Sequence, residues 1–474
     1  MILDCLRKFL VNLDYLILFY FIFLNSFYAL LLIFSVVEAT SRNRESEMEK
    51  LEFNYPEAMI PISILSPAFN EEATIVTSVH AMLNLQYPDH EVIVINDGSK
   101  DSTLEKLIES YNLFKIPSTA RQTIKTQSIV ATYRSLSEPK LTVIDKINGG
   151  KADSLNAGIN NCLNPLFLAC DADTIIDKHA LSTLAVTFLT KSNTVAAGGT
   201  IRVVNNCKVE NGQVSSIIFP RDKLPAIQAV EYLRAFYLGR LGWNRLGGNL
   251  VISGAFGLFD REAVLQIGGY ATDTVGEDME LIVRLQRYGY ENGYVRSVQF
   301  APGPLAWTEV PASKAVLSRQ RERWHRGLIQ TLWKHRVMLL NPKYGVVGLL
   351  GIPYFTFGEM LAPIIEVIGL IGVVVGYMLD AIDVFFIINF FLAAWGLSIL
   401  MNIVAITMEQ TLFKRYKGLD DLGRIIYYAF AENLGYRQQS IFWRLTAFWR
   451  FIRGNQSWGN MERQGFKNQP SKKS

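Results

Sequence analysis

Apolar residues are concentrated at the two ends of the chain, and this uneven distribution limits the possible folds more than any other feature. Near the N-terminus, the stretch Tyr15–Val37 contains no charged residue. An apolar helix of about 20 residues is long enough to cross a bilayer. Arg7 and Lys8 precede the stretch, so a signal peptide is the alternative, but the stretch is too long for one and no small-residue cleavage site follows. We therefore expect a retained transmembrane helix.

The overall composition excludes several classes of protein. Hydrophobic residues make up 50% of the 474 residues and charged residues 19%, which excludes disorder for most of the chain. The net charge of +4 argues against a nucleic-acid partner, because such partners usually require a concentrated basic patch. The four cysteines lack the spacing of a disulfide framework or a zinc site, and they fit a reducing compartment.

The middle of the chain has the pattern of an α/β domain. After the charged linker Thr40–Glu52, short apolar runs end in turn residues and predict buried parallel strands. These runs are Ile60–Ser66, Glu91–Asn96, Leu141–Asp145 and Leu166–Cys170. Helical stretches lie between strands. The alternation predicts a doubly wound sheet, in which ligands bind at the carboxyl ends of the strands.

The part of the chain beyond the α/β domain is again strongly apolar. We expect an interfacial or re-entrant segment over Gly345–Gly358, followed by transmembrane helices over Met360–Leu379 and Val384–Met408. The basic segment 414–417 follows the last of these helices, and the positive-inside rule predicts that this end lies in the cytoplasm. The chain would then be a multi-pass protein of the plasma (inner) membrane with its polar domain in the cytoplasm.

The final stretch is aromatic and charged at the same time. Because charged residues interrupt Leu422–Ile452, an amphipathic helix in the membrane interface fits it better than a further span. The predicted organisation is therefore an N-terminal helix and linker in residues 1–52 and a cytoplasmic domain in 53–340. A membrane region in 341–418 and interfacial helices with a polar tail in 419–474 complete it.

Two polar motifs follow predicted strands in the first half of the α/β domain. Asp97 comes directly after a strand and precedes a glycine, so its carboxylate lies at the edge of the sheet where ligands approach. The segment 148–151 (NGGK) combines two glycines, which let a backbone come close to a ligand, with Lys151, a cation suited to phosphate. Each motif alone is also typical of an ordinary turn or loop.

A pair of carboxylates follows the strand that ends at Cys170. In an extended segment, Asp171 and Asp173 point the same way, and they repel each other unless a cation lies between them. A hard divalent ion that also binds diphosphate oxygens removes this repulsion. The Asp-x-Asp pattern is also common on protein surfaces.

Two further motifs lie on predicted helices. Glu277 and Asp278 open a helix, where stabilisation by the helix dipole is one explanation and a general base is the other. Gln320, Arg323 and Trp324 share one helix face. An indole stacks on the C–H face of a sugar, and a guanidinium matches phosphate oxygens. An amphipathic helix near a membrane has the same pattern.

In this order, the five motifs resemble those of family 2 glycosyltransferases, in particular the membrane-embedded processive synthases of cellulose, hyaluronan, chitin and poly-N-acetylglucosamine. The resemblance covers about Ile60 to Arg326. It implies an α/β fold, with a GT-A-like doubly wound cytoplasmic domain beside α-helical transmembrane and interfacial helices.

The resemblance also implies roles on the donor side. Asp97 and Glu71 would bind the uridine of a UDP-sugar, and Lys151 and Arg323 would lie at its diphosphate. The Asp-Ala-Asp motif would serve the nucleotide and a Mg²⁺ or Mn²⁺ ion, with Asp173 as the direct metal ligand and Asp171 beside it.

On the acceptor side, the resemblance makes Asp278 the catalytic base, with Glu277 as its neighbour. Gln320 and Trp324 would line the acceptor end of the site. The segment Ser253–Gly257, which includes Gly254, matches the border of the acceptor channel in the family.

The implied activity is inverting transfer from a UDP-sugar to a growing β-linked polysaccharide, coupled to export across a lipid bilayer. UDP-N-acetylglucosamine and UDP-glucose are the favoured donors by analogy. Because the chain has fewer predicted spans than most synthases of this type, an export or co-polymerase partner, or a homo-oligomer, would complete a channel. Alternatives are addition of a single sugar to a lipid-linked acceptor, an inactive scaffold, and a transporter. The transporter is disfavoured because the spans carry few polar residues beyond Glu359 and Glu366.

Overall fold

The computed structural model describes residues 2–40, 55–117, 122–210, 212–413, 416 and 418–454. The predicted linker lies beyond these residues apart from Thr40. The same is true of the polar tail after Gly454 and of the basic residues 414, 415 and 417 on which the orientation depends. The cytoplasmic placement of the polar domain therefore stays a prediction.

A mixed β-sheet forms the centre of the α/β domain. Its strands and those of a separate small hairpin are, in chain order, β1 (Ile62–Ala68), β2 (His90–Asn96), β3 (Leu113–Ile116), β4 (Ile129–Ser135), β5 (Leu141–Lys146), β6 (Leu166–Cys170), β7 (Ile175–Ile176), β8 (Thr194–Val203), β9 (Lys208–Glu210), β10 (Gln213–Ser216), β11 (Phe256–Asp260) and β12 (Ser297–Thr308). The large sheet has the order β3-β4-β5-β2-β1-β6-β11-β8-β12-β7, and β9 and β10 form the hairpin.

The sheet is parallel where the sequence predicted parallel strands. The strands β5, β2, β1 and β6 pair in parallel, whereas β11 runs antiparallel to both β6 and β8. Each of the four predicted strands is confirmed. The antiparallel insertion of β11 is a long-range pairing that local apolar patterns do not reveal.

The helices are described in chain order. They are α1 (Ile2–Thr40), α2 (Ile75–Leu83), α3 (Thr103–Tyr111), α4 (Lys151–Asn161), α5 (Ala180–Thr190), α6 (Lys223–Arg234), α7 (Leu241–Leu246), α8 (Arg261–Gln266), α9 (Glu277–Glu291), α10 (Lys314–Lys334), α11 (Ala362–Met378), α12 (Val384–Leu412), α13 (Leu419–Ala431) and α14 (Tyr436–Ile452). Wider π-helical turns occupy Ala235–Arg240, Val347–Gly351 and Tyr354–Met360.

Helices cover both faces of the sheet, as a doubly wound fold requires. On β1, Ile64 packs into a core with side chains of α2 and α3, whereas its neighbour Leu65 points to the opposite face and packs with α4. Both residues are fully buried. Successive strand side chains point to opposite faces, so the continuous apolar runs fill both cores. The predicted α/β class is therefore confirmed.

The apolar N-terminal helix is present in the structure. Within the described residues, Arg7–Ala39 is long and apolar enough to cross a membrane. A second such element exists if Val347–Met360 and Ala362–Met378, bent by 46° relative to each other, form one broken span. The described apolar part of α12, Gly396–Leu412, is shorter than a span. Multi-pass topology therefore stays a prediction.

The apolar helices are joined to the α/β domain by buried polar contacts. Asn244 on α7 donates its side-chain N–H to Glu38 of α1 at 2.9 Å. Arg202 of β8 forms an ion pair with Glu409 of α12, and both side chains are at most 2% exposed. The ring of Trp307 lies 5.6 Å from the Arg202 guanidinium. These contacts fix α1 and α12 relative to the sheet.

The C-terminal helices have one face on the domain and one face exposed. Arg450 of α14 pairs with Glu322 of α10 at 3.1 Å. On other faces of α14, Phe442 is 64% exposed and Trp449 is 58% exposed. The helix α14 is therefore amphipathic, and its location in a membrane interface stays a prediction. The chain turns between α13 and α14 at Gly435, which has a φ of +85° that favours glycine.

Removal of one charge of the Arg202–Glu409 pair should destabilise the protein more than removal of both charges. Glu409→Gln leaves the Arg202 charge buried without its counter-charge, so we expect the free energy of unfolding to fall by roughly 3–5 kcal/mol. The double variant Arg202→Met/Glu409→Met removes both charges and should recover most of that loss. Denaturant unfolding of the detergent-purified protein measures both. A double variant as unstable as the single one would show that the charge pair is not the stabilising feature.

Candidate active site

One cavity, with a volume of about 1680 Å³, brings together all the residues that the sequence predicted for the site. It is lined by Glu71, Asp97, Lys151, Asp171, Asp173, Ser253, Gly254, Glu277, Asp278, Gln320, Arg323 and Trp324. Several of these residues follow the carboxyl ends of β1, β2 and β6, which are neighbours in the sheet. The others come from the helices α4, α9 and α10 and from the segment before β11.

The Asp97 carboxylate organises the loop that follows β5. It accepts hydrogen bonds from the backbone N–H groups of Gly149 at 2.9 Å and Gly150 at 2.8 Å. The Asn148 side chain donates to it at 3.1 Å. Gly150, with a φ of +87°, then opens α4 at Lys151. Asp97 therefore holds the glycine loop in place, and its predicted contact with uridine stays a prediction.

A buried lysine that sequence analysis missed completes this arrangement. The Lys146 ammonium lies 2.6 Å from Asp97 and 2.7 Å from Asp153, and its side chain is fully buried. Asp153 also accepts a hydrogen bond from the backbone N–H of Gln127 at 3.0 Å. The signal in the sequence was a lysine at the end of an apolar strand, seven residues before Asp153, but its other partner Asp97 is distant in the chain.

Lys151 and Asp278 meet through Gly254. The Lys151 ammonium donates to the Gly254 carbonyl oxygen at 2.8 Å, and the Gly254 N–H donates to Asp278 Oδ2 at 3.0 Å. A Cβ atom at Gly254 would lie 3.1 Å from Asp278 Oδ2. A side chain at this position would therefore push the Asp278 carboxylate away by a few tenths of an ångström.

The charges around Lys151 oppose the effect of burial. Its ammonium forms an ion pair with Asp171. Burial alone lowers the pKa of Lys151, but the charges of Asp171 and Glu277 outweigh burial and raise its pKa above the usual value. Lys151 therefore carries a positive charge at the mouth of the predicted donor site.

Glu277 and Asp278 begin α9 in different environments. Glu277 is buried, and burial together with the neighbouring charge of Asp278 raises the pKa of Glu277 to about 7. The positive charges of Lys151 and Arg323 act in the opposite direction. Asp278 accepts a hydrogen bond from the backbone N–H of Met279 at 2.8 Å, which orients its carboxylate at the helix N-terminus.

On α10, Trp324 lines the cavity and is 41% exposed. The guanidinium of Arg321 lies over its ring at 4.6 Å, and Arg321 in turn pairs with Glu231 at 2.6 Å. The Arg321 guanidinium also donates a hydrogen bond to the hydroxyl of Tyr436 on α14 at 3.4 Å. The indole is therefore held by neighbours on one side and open to the cavity on the other.

The same cavity continues between the apolar helices. Tyr28 of α1 donates to Glu359 at 3.3 Å, and Arg437 of α14 lies 3.9 Å from Glu366. All four residues line the cavity. The sequence presented Glu359 and Glu366 as isolated polar residues in apolar helices. The structure gives each a polar partner from a distant helix, so the part of the cavity between the apolar helices also carries polar side chains.

The carboxylates of Asp171 and Asp173 fit a divalent ion only if the ligand supplies further oxygens. Among the residues that the structure describes, no three His, Cys, Asp or Glu side chains form a metal-binding group. Mg²⁺, however, is commonly held by one or two carboxylates together with substrate phosphates and water. The donor set therefore fits a metal that binds with a nucleotide diphosphate.

Comparison with known proteins identifies the family. Residues 60–327 match the model described as "Glycosyltransferase like family 2", and this range is more than half of the chain. The chain belongs to this family. The matched residues run from the start of β1 to the middle of α10, and they include every residue predicted for the site.

The relatives are bacterial synthases. The chain is 28% identical over 276 residues to the poly-β-1,6-N-acetyl-D-glucosamine synthase of Staphylococcus epidermidis. These residues are 57% of this chain and 56% of that protein. The synthase of Staphylococcus aureus (strain COL) is 27% identical over 267 residues, covering 56% and 54%. The chain thus matches only a little over half the length of these curated relatives.

A solved structure of a mannosyltransferase from Pyrobaculum calidifontis, in complex with GDP-Man and Mn²⁺, aligns with 89% of this chain and 99% of its own. The TM-score is 0.49 and the identity 15%. This overall likeness is too low to carry an argument about ligands.

Replacement of the buried Lys146 should lower the stability of the protein. Lys146→Met leaves two buried carboxylates without their shared cation, so we expect the free energy of unfolding to fall by roughly 3–5 kcal/mol. Lys140→Met is the matched control, because Lys140 is exposed near the other end of the same strand; its effect should stay within about 0.5 kcal/mol. Equal stability losses in the two variants, measured by denaturant unfolding, would contradict the role assigned to Lys146.

Proposed function

We propose that this protein is an inverting hexosyltransferase that uses a UDP-sugar to extend a β-linked polysaccharide at the plasma membrane. The observation that carries the proposal is the cavity in which Asp278 and Lys151 meet at Gly254, next to the Asp171 carboxylate. The names of the relatives favour UDP-N-acetylglucosamine as the donor, and UDP-glucose is the second candidate.

The proposed reaction needs a base and a stabilised leaving group. Asp278 accepts the proton of the acceptor hydroxyl as that oxygen attacks the anomeric carbon. The Gly254 N–H holds Oδ2 of Asp278 and the Met279 N–H holds Oδ1, and each carboxylate oxygen keeps a further lone pair for the acceptor hydroxyl. Lys151 and Arg323 balance the negative charge that develops on the departing UDP. A single displacement inverts the configuration, so an α-linked donor yields a β-linked product.

Asp173 and Asp171 would hold a Mg²⁺ or Mn²⁺ ion together with the diphosphate. When bound, such an ion supplies a Lewis acid for the leaving phosphate oxygens. The Asp171–Lys151 ion pair places a positive charge beside the carboxylates.

We further propose that the product leaves along the part of the cavity between α1, α11 and α14. This path is supported by the polar pairs Tyr28–Glu359 and Arg437–Glu366, which line it beyond the catalytic end. A polysaccharide exposes many hydroxyl groups, which such side chains can hydrogen-bond. The α/β domain would then lie on the cytoplasmic side, where UDP-sugars are made, and a partner protein or a second copy would complete the exit.

The direct test is UDP release by the detergent-purified protein, with Mg²⁺ or Mn²⁺, from UDP-N-acetylglucosamine, UDP-glucose, UDP-glucuronate and UDP-galactose in turn. The products are sized on a gel and digested with linkage-specific hydrolases. A long β-linked polymer from a single donor is the expected result. UDP release without polymer would instead support single-sugar addition, and no release from any donor would contradict the proposal.

Asp278 provides the first mutational prediction. Asp278→Asn keeps the size of the side chain but removes the base, so we expect UDP release to fall by about 10²–10⁴-fold while the affinity for UDP is retained. Glu291→Gln, at the other end of α9 and outside the cavity, is the matched control. Loss of UDP affinity in parallel with turnover would show that Asp278 binds the donor or supports the fold.

Trp324 provides the second mutational prediction. Trp324→Ala removes the exposed indole, and we expect transfer to the polymer to fall about 5-fold relative to donor hydrolysis, since an aromatic contact is worth roughly 1 kcal/mol. Trp333→Ala on the same helix is the control, because Trp333 lies outside this cavity and is 62% exposed. Equal loss of transfer and hydrolysis in the Trp324 variant would contradict an acceptor role.

A further inference from the structure

The helix α10 touches the segment before Asp278 along one continuous face. Arg323, Gly327, Gln330 and Lys334 recur every three or four residues, so they lie on the same side of the helix. The first two of the four line the cavity. The contacts of the last three with the segment 273–280 form one ladder.

The first rung is a contact between two glycine backbones. A Cβ atom built on Gly327 would lie 2.7 Å from Cα of Gly276, and one built on Gly276 would lie 2.8 Å from Cα of Gly327. Real Cβ atoms do not tolerate such distances to backbone atoms. Only glycine at both positions lets α10 approach the chain this closely, two residues before Asp278.

The second rung is the side chain of Gln330. Its Oε1 atom accepts hydrogen bonds from the Thr274 hydroxyl at 2.9 Å and from the Val275 N–H at 3.0 Å. The same Thr274 hydroxyl oxygen accepts from the Gly276 N–H at 3.2 Å. One acceptor atom on α10 therefore restrains the three residues that lead into the Glu277-Asp278 motif.

The third rung closes the ladder beyond the motif. The Lys334 ammonium lies 3.1 Å from Asp273 and 3.3 Å from Glu280. Glu280 is in the first turn of α9 and is fully buried. The segment is thus tied to α10 both before and after the proposed base, and Gln330 makes the side-chain hydrogen bonds that precede it.

We infer that Gln330 is a positioning residue for Asp278, an inference that rests on the proposed glycosyltransferase function. It acts through Thr274, Val275 and Gly276 and touches neither donor nor acceptor. Through Gln330, the helix α10, which carries Trp324, and the first turn of α9, which carries Asp278, are held in a fixed relative position. The acceptor hydroxyl and the carboxylate that deprotonates it then keep their relative position, and a displacement of about 1 Å in such a pair costs on the order of 10²-fold in rate.

The test compares two substitutions of the same residue. Gln330→Leu removes the acceptor atom at nearly constant volume, and we expect kcat for UDP release to fall about 10- to 100-fold, with KM for the donor and the affinity for UDP unchanged. Gln330→Glu keeps an oxygen at the same position that accepts both hydrogen bonds, and it should return kcat to within a few-fold of the wild type. A merely structural role does not produce this split between kcat and KM.

Thr274→Val supplies an independent arm. It removes the hydroxyl that links Gln330 to Gly276, so we expect the same fall in kcat, and the double variant with Gln330→Leu should be no slower than the slower single variant. Additive losses would overturn the inference, because they would mean that the two residues act separately. Should Gln330→Leu fail to fold, Thr274→Val with intact UDP affinity decides in its place: reduced kcat supports the inference and full activity overturns it.

The failure of this inference is distinguishable from failure of the proposed function. A wild-type protein that releases UDP from a nucleotide sugar, together with a fully active Gln330→Leu variant, overturns the positioning role alone. A wild-type protein that turns over no donor overturns both. Equal losses of kcat and UDP affinity in Gln330→Leu also overturn the inference, because they show a general effect on the fold.

Discussion

A single buried lysine holds the loop on which the rest of the site depends. Lys146 lies between the carboxylates of Asp97 and Asp153, and all three side chains are withdrawn from solvent. With its charge neutralised in this way, Asp97 binds the backbone of the glycine loop and fixes the start of α4. That start carries Lys151, which reaches Gly254 and, through it, the carboxylate of Asp278. A structural ion pair therefore supports the loop from which the proposed leaving-group cation reaches the segment beside the proposed base.

The apolar helices are also joined to the α/β domain that holds the site. The ion pair between Arg202 and Glu409 ties α12 to the sheet, and the Arg450–Glu322 pair ties α14 to the helix that carries Trp324. The cavity passes without interruption from the strand ends to Tyr28 and Glu359. The apolar helices are therefore more than an attached anchor, because they and the α/β domain together form the walls of one site.

The sequence predicted those features that depend on local patterns. Buried strands appear as apolar runs, and Asp97 and the Asp171–Asp173 pair stand directly after two of them, so their convergence followed from the geometry of a parallel sheet. Contacts between distant residues left no such pattern. Lys146 resembles any strand-end lysine until Asp97 is placed beside it, and Gln330 lies seven residues beyond Arg323, outside the recognisable motif. The number of spans stays a prediction, since apolar helices that pack on a domain and helices that cross a bilayer have the same composition.

The most direct test of the central claim is a structure of the detergent-purified protein with UDP and Mn²⁺ bound. We expect the uridine to lie at the Asp97 and Glu71 end of the cavity and the diphosphate to contact Lys151 or Arg323. The metal should bind Asp173, and Asp278 should face the open space beyond the diphosphate. A nucleotide bound outside this cavity, or a diphosphate distant from both cations and from the Asp171–Asp173 pair, would contradict it.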